Sequence, residues 1–311
     1  MASDFGNILL PIDGSAQSMN AQNMTVFLSK LFKSQVTLMH IVSNEPVSLP
    51  DKNYVEKENY SPISTTTGQF PRRLDEPPAE GYEVSDEVDD EISEGYANEE
   101  QTLLSEAALL FRQEGITAEE KFAEGADVAE TIIAETETGK YDLIVIGNSG
   151  TEEKELDLHL GSVAERVSSA VKIPILIVRQ KTKINNILIP VDGSEKDEHA
   201  LLKASVIAKK AGAKVVLLHV QEASLLRRKP EAKEIGPLIL KKAAAQLEGL
   251  QVEQKLVSGD AAKIIIQTSL QEDVDLIVMS RGARGMLRRF PFGSVSSHVL
   301  HYATVPLLLV R

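Results

Sequence analysis

Short runs of consecutive apolar residues alternate along this chain with longer stretches whose apolar positions recur at helical spacing. In the C-terminal part the short runs predict strands over Asn186–Val191, Lys214–Val220, Gln251–Val257, Asp275–Met279 and Pro306–Val310. Helical spacing fills the gaps, near Asp197–Ala211, Glu231–Glu248, Ala261–Glu272 and Ser294–His301. Strand and helix alternate throughout, which implies a parallel sheet covered by helices on both faces. Runs such as "NILIPV" and "DLIVM" agree, because a strand buried on both sides has no polar face to alternate with.

The N-terminal part carries the same pattern. "NILLPIDGS" (Asn7–Ser15) returns as "NILIPVDGS" (Asn186–Ser194), and "VTLMHIV" (Val36–Val42) as "VVLLHVQ" (Val215–Gln221), both at an offset of 179. "DLIVIG" from Asp142 meets "DLIVMS" from Asp275 at 133, so the first copy holds 46 additional residues between about 43 and 141. "GSVAERV" from Gly161 meets "GSVSSHV" from Gly293 at 132, and "IPILIVR" closes on "VPLLLVR" at the same value. One more residue therefore lies in the first copy between 147 and 161. Self-similarity in this order means one architecture built twice.

Composition adds bounds. A length of 311 residues leaves room for two cores, which the repeat divides into 1–180 and 184–311. The absence of Cys excludes disulfides, thiolate metal sites and thiol catalysis. The start "MASDFGN" lacks the basic and apolar regions of a leader, and no run approaches 18 apolar residues, so a cytoplasmic protein is expected, neither secreted nor membrane-spanning. A net charge of −13 argues against nucleic-acid binding. The charge is uneven: residues 184–311 balance to +5 and residues 1–183 to −18. Within the insertion, about 45–98, six prolines accompany 14 acidic and four basic residues, which reads as a solvated acidic loop. Such a loop can also recruit a basic protein partner, or cover the partly basic second copy.

Taken together, the strand ending in "P(I/V)DGS", the strand ending in "LMHI" or "LLHV", "DLIV" followed by a loop, and the closing "GSV(A/S)" and "(I/V)P(I/L)L(I/L)VR" resemble the universal stress protein family, written twice. The resemblance implies an α/β fold of two tandem doubly wound five-stranded parallel-sheet domains, each in strand order 3-2-1-4-5, of the adenine-nucleotide alpha-hydrolase-like kind. It also implies that the two copies pair through strand 5 as a pseudo-dimer within one chain, leaving open whether two chains associate. A ligand is then expected where the chain reverses across the sheet, at the carboxyl ends of strands 1 and 4.

In nucleotide-binding members the loop after strand 4 reads Gly, two residues, Gly, nine residues, Gly-Ser/Thr. Glycines let backbone amides approach a phosphate, and Gly-Ser opens a helix whose free N–H groups favour an anion. The first copy has Gly147 and Gly150, then ten residues before Gly161, Ser162 and Val163; that loop, "TEEKELDLHL", is acidic. In the second copy the gapless match puts Ser280 and Ala283 at these positions, nine residues before Gly293, Ser294 and Val295, the alternative being a displaced Gly282 and Gly285 with a shorter loop, and Arg281 and Arg284 offer guanidiniums to phosphate oxygens. The first copy thus keeps the backbone pattern and the second the positive charge. By resemblance Asp13 and Asp192, beside Ile12 and Val191, face the adenine and ribose, and the backbone of Ile41 and Val220 lines the adenine. Pro11, Pro190, Gly125 and Gly259 help to shape the crevice. Without the resemblance, "DGS" is simply a strand-to-helix turn that caps a helix.

His40 and His219, at the ends of the second strands, fit a packed or hydrogen-bonded role, and His298 with His301 lacks a third ligand, so no metal site is expected. Neither a Gly-Lys-Ser/Thr phosphate loop nor a Ser-His-Asp grouping nominates catalytic residues. The leading expectation is a stress-response protein that binds ATP or AMP as a regulatory ligand, with Mg if a triphosphate. The alternatives are a nucleotide-free scaffold that recruits a partner through the acidic insertion, and a weak ATPase or self-phosphorylating protein.

Overall fold

The computed structural model describes residues 5–43, 102–150, 160–221, 234–281 and 293–311. In the first repeat these form β1 (Asn7–Pro11), α1 (Ala16–Phe32), β2 (Gln35–Ser43), α2 (102–113), β3 (Ala118–Gly125), α3 (Val128–Thr136), β4 (Leu143–Gly147), α4 (Ser162–Ala170) and β5 (Ile175–Val178). In the second they form β6 (Asn186–Pro190), α5 (Asp197–Ala211), β7 (Lys214–Gln221), α6 (Ile235–Ala245), β8 (Val252–Ser258), α7 (Ala261–Gln271), β9 (Leu276–Ser280), α8 (Ser294–Tyr302) and β10 (Leu307–Val310). The expected alternation of strands and helices is what the chain forms. The acidic insertion lies outside the described residues.

All ten strands join one sheet in the order β3-β2-β1-β4-β5-β10-β9-β6-β7-β8. Neighbours within each half run parallel. At the centre β5 meets β10 antiparallel, with Leu308 opposite Leu176. The inner strands are apolar and buried on both sides, whereas the outermost, "AEEKFAEG" and "VEQKLVS", mix half-buried and exposed positions and carry charges on the open edges.

Two cores lie on opposite faces of the sheet, and each runs through both repeats. One gathers Met24, Leu28 and Phe111 with Leu201, Ala204 and Leu240 under α1, α2, α5 and α6. The other gathers Ile132, Val167, Ile265, Val299 and Leu309 under α3, α4, α7 and α8. Side chains also cross the junction: the Lys203 ammonium lies 5.0 Å from the Phe5 ring centre, and His301 Nε2 lies 3.3 Å from Glu165 Oε1. Two buried guanidiniums fasten it. Arg179, after β5, donates to Leu300 O at 2.7 Å and Val305 O at 3.4 Å. Arg281, after β9, donates to Val171 O at 2.6 Å and Ile173 O at 3.1 Å. Each therefore holds the end of the other repeat's last helix, where carbonyls lack helical partners and favour a cation. Burial pushes both guanidiniums down to about 10.

Candidate functional site

The repeated phrase forms the same corner in both halves up to its glycine. After β1 and β6 the chain turns through Gly14 (φ 78°) and Gly193 (φ 86°), a left-handed backbone that L side chains rarely adopt. The end of the neighbouring strand locks the corner from beneath. His40 Nδ1 lies 2.8 Å from Ile12 O, and His219 Nδ1 lies 2.8 Å from Val191 O. The expected hydrogen-bonded role of both histidines is thus met.

In the first repeat the Asp13 side chain stands exposed at this corner. Its Oδ1 accepts from Ser15 N at 3.0 Å and from Ser15 Oγ at 2.6 Å. Ser15 in turn caps α1, its hydroxyl oxygen accepting from Ser18 N at 3.0 Å. Gly147, at the end of β4, packs so tightly on α1 that a Cβ there would lie 2.9 Å from the Gln17 carbonyl carbon. Beyond it Gly150 comes up against Asp13.

Between these pieces opens a cavity of about 310 Å³, at the carboxyl ends of β1 and β4 and within the range of small-molecule clefts. Pro11, Ile12, Asp13, Ile41, Gly147 and Gly150 line it, and Gly161, Ser162 and Val163 close it from the far side. Gly161 caps α4 with its own amide donating to Asn148 O at 2.7 Å, and without a side-chain cap the amides of Ser162 and Val163 are left to water or a ligand. The wall also includes Ser18, Val128, Ile132, Ile146, Ser149 and Ala164. The sequence reading missed these because Val128, Ile132 and Ile146 look like ordinary core positions. Gly125 does not line the cavity; it ends β3, where a Cβ would lie 2.2 Å from Thr131 Oγ1, so its bareness admits α3. Gly259 does the same for Ile264, 3.1 Å from such a Cβ.

The second repeat departs at the corner. Its helix opens two residues later relative to the repeat, with Lys196 at the cap position making no side-chain cap bond. Asp197 replaces Ser18, and its Oδ2 accepts from Asp192 N at 3.0 Å and Gly193 N at 2.7 Å while its residue is 7% exposed. Burial, with the Asp192 carboxylate nearby, pushes Asp197 up to about 6. Asp192 itself is exposed, and its Oδ1 accepts from Ser194 N at 2.8 Å. Pro190 ends β6 with Val191 just after it, Val220 is half-buried on β7, and Ser280 ends β9. Gly293, Ser294 and Val295 open α8, again without a side-chain cap. Ala283 and Arg284 lie outside the described residues.

Arg281 corrects an expectation. Its guanidinium does not reach for a phosphate; it is buried in the junction on two carbonyls of the first repeat. The cause is tertiary: β5 and β10 meet antiparallel, so the residue after β9 stands beside the start of β5. His298 stacks near Tyr302, ring centres 4.5 Å apart, and His301 Nδ1 lies 2.8 Å from Ser297 O. Among the described residues no group of three or more potential ligands could hold a metal ion, and no helix is long and apolar enough to cross a membrane.

The model of the universal stress protein family matches residues 75–179 and again 183–311. A universal stress protein of Mycolicibacterium smegmatis is 24% identical over 324 residues, covering 100% of this chain and 98% of that protein. A universal stress protein of Synechocystis is 26% identical over 177 residues, covering 56% of this chain and 59% of that relative, so the match spans little more than half of it. Among solved structures, a universal stress protein from Archaeoglobus fulgidus superposes with a TM-score of 0.66 at 21% identity, covering 100% of this chain and 99% of its own, a likeness of fold.

Proposed function

The chain belongs to the universal stress protein family, and from that premise we propose that its first repeat binds an adenine nucleotide, ATP or AMP, as a regulatory ligand. One observation carries this reading: the cavity at the ends of β1 and β4 joins an apolar wall, an exposed carboxylate and an uncapped helix N-terminus. The base would lie against Ile12, Ile41, Val128 and Ile132, a largely apolar slot suited to a flat heterocycle. Asp13 would accept hydrogen bonds from the ribose hydroxyls, its Oδ2 facing Gly150 while Ser15 holds Oδ1. The phosphates would extend toward Gly147, Gly150, Gly161 and the amides of Ser162 and Val163, with Mg accompanying a triphosphate.

The ligand is read as held, not turned over. Among the described lining residues Asp13 alone is ionisable, which leaves no pair to act as acid and base. The division into 1–180 and 184–311, and a cytoplasmic setting with ready access to nucleotides, belong to the same reading. Titration calorimetry with ATP and AMP tests it: saturable binding, weakened at least tenfold by Asp13→Ala, is expected. Absence of heat with either nucleotide at millimolar concentration would refute it.

A further inference from the structure

The corner of the second repeat differs from the first at three linked points. Asp197 stands where the first repeat has the neutral Ser18, which lines the cavity and accepts only a long, 3.4 Å bond from Asp13 N. Asp197 instead takes two amides of the turn on one oxygen, Asp192 N at 3.0 Å and Gly193 N at 2.7 Å. The helix begins later, and Ser280 occupies the place of Gly147, whose first-repeat neighbour is the backbone of Gln17. We infer that nucleotide binding is confined to the first repeat, one ligand per chain, and that Asp197 is the specificity-determining residue that shuts the second crevice to anions. The inference rests on the nucleotide reading of the first repeat.

The physical reason is charge where charge is least screened. Asp197 is almost fully buried, with Asp192 beside it, so among the described residues an anionic ligand in this crevice meets two carboxylates at the corner where the first repeat offers one. Among the described residues, the surrounding elements do little to offset this. Lys242 on α6 is the facing cation, is itself mostly exposed, and lies 3.8 Å from Glu198. Arg281, the described guanidinium on the rim, is spent on Val171 O and Ile173 O. The turn amides that could otherwise meet an anion already donate to Asp197.

Asp197→Asn is the discriminating variant, because its carbonyl oxygen can keep both amide bonds while the charge is lost. Calorimetry with Mg-ATP on the full chain should give one site, weakened at least tenfold by Asp13→Ala and left unchanged by Asp192→Ala. In the Asp13→Ala background, Asp197→Asn should restore binding at least tenfold tighter than Asp13→Ala alone. Two sites per chain in the unaltered protein, or a single site lost with Asp192→Ala, overturns the inference and leaves nucleotide binding standing. A double variant that binds no better than Asp13→Ala overturns the role of Asp197. No heat in any variant or in the unaltered protein overturns both this inference and the reading it rests on.

Discussion

Gly150 approaches Asp13 so closely that a Cβ on the glycine would lie 3.0 Å from the carboxylate Oδ2. The carboxylate cannot simply swing away, because Ser15 holds its other oxygen through both amide and hydroxyl. The loop after β4 and the corner after β1 are therefore set against each other by a single missing side chain.

Gly150→Ala should accordingly weaken nucleotide binding while sparing the fold. A loss of about tenfold in affinity, roughly 1.4 kcal/mol, is expected, with the melting temperature nearly unchanged. Calorimetry paired with a thermal melt checks both halves of the statement.

Gly147→Ala should do the opposite and act on stability. The added methyl would meet the backbone of Gln17 at 2.9 Å, and a helix backbone yields less readily than a side chain. Destabilisation of about 1–3 kcal/mol is expected from such overpacking, read as a lower urea midpoint. Ser280→Gly in the second repeat should be far milder, since the helix there starts later.

Asp197 should make stability depend on pH. Its carboxyl titrates at about 6 when folded against a usual 3.8, so between those values the folded chain keeps a proton that the unfolded chain has released. Stability from this group is therefore complete below about pH 4 and is lost as pH rises toward 6. Asp197→Asn should exceed the unaltered protein by on the order of 2 kcal/mol at pH 7 and match it near pH 4. Urea midpoints across that range provide the measurement.

Arg281→Met should destabilise the whole chain and not one half. It strips Val171 O and Ile173 O of buried donors, a loss of about 2–4 kcal/mol for two such bonds. Because both cores cross the junction, melting should remain a single transition at lower temperature. Arg281→Lys should fail to rescue it, since an ammonium cannot reproduce the planar fork.

The residue pattern discloses most of the fold because central strands are apolar throughout and the helices amphipathic; α5 starts and stops where spacing predicts, Asp197–Ala211. Of the cavity wall, Pro11, Ile12, Asp13, Ile41, Gly147, Gly150, Gly161, Ser162 and Val163 were legible through the repeated phrases and the family resemblance, whereas Val128, Ile132 and Ile146 were hidden by their likeness to core positions. Arg281 was not, because a guanidinium's partner depends on which strand lies across the junction, and nothing local in "DLIVMSR" carries that. Asp197 was half visible: the 179-residue offset sets it over Ser18. Its effect, however, needs the later helix start and the burial that accompanies it.

The antiparallel meeting of β5 and β10 has one last consequence. A pairing of this kind between separate chains weakens on dilution, whereas here the partner is tethered and stays near however scarce the protein becomes. Tethering also breaks inheritance. In a pair of identical chains every substitution appears on both sides, but a chain that is its own partner can alter one side alone. Asp197, at the position Ser18 holds in the first repeat, is a change that two identical subunits could never have made on one side alone.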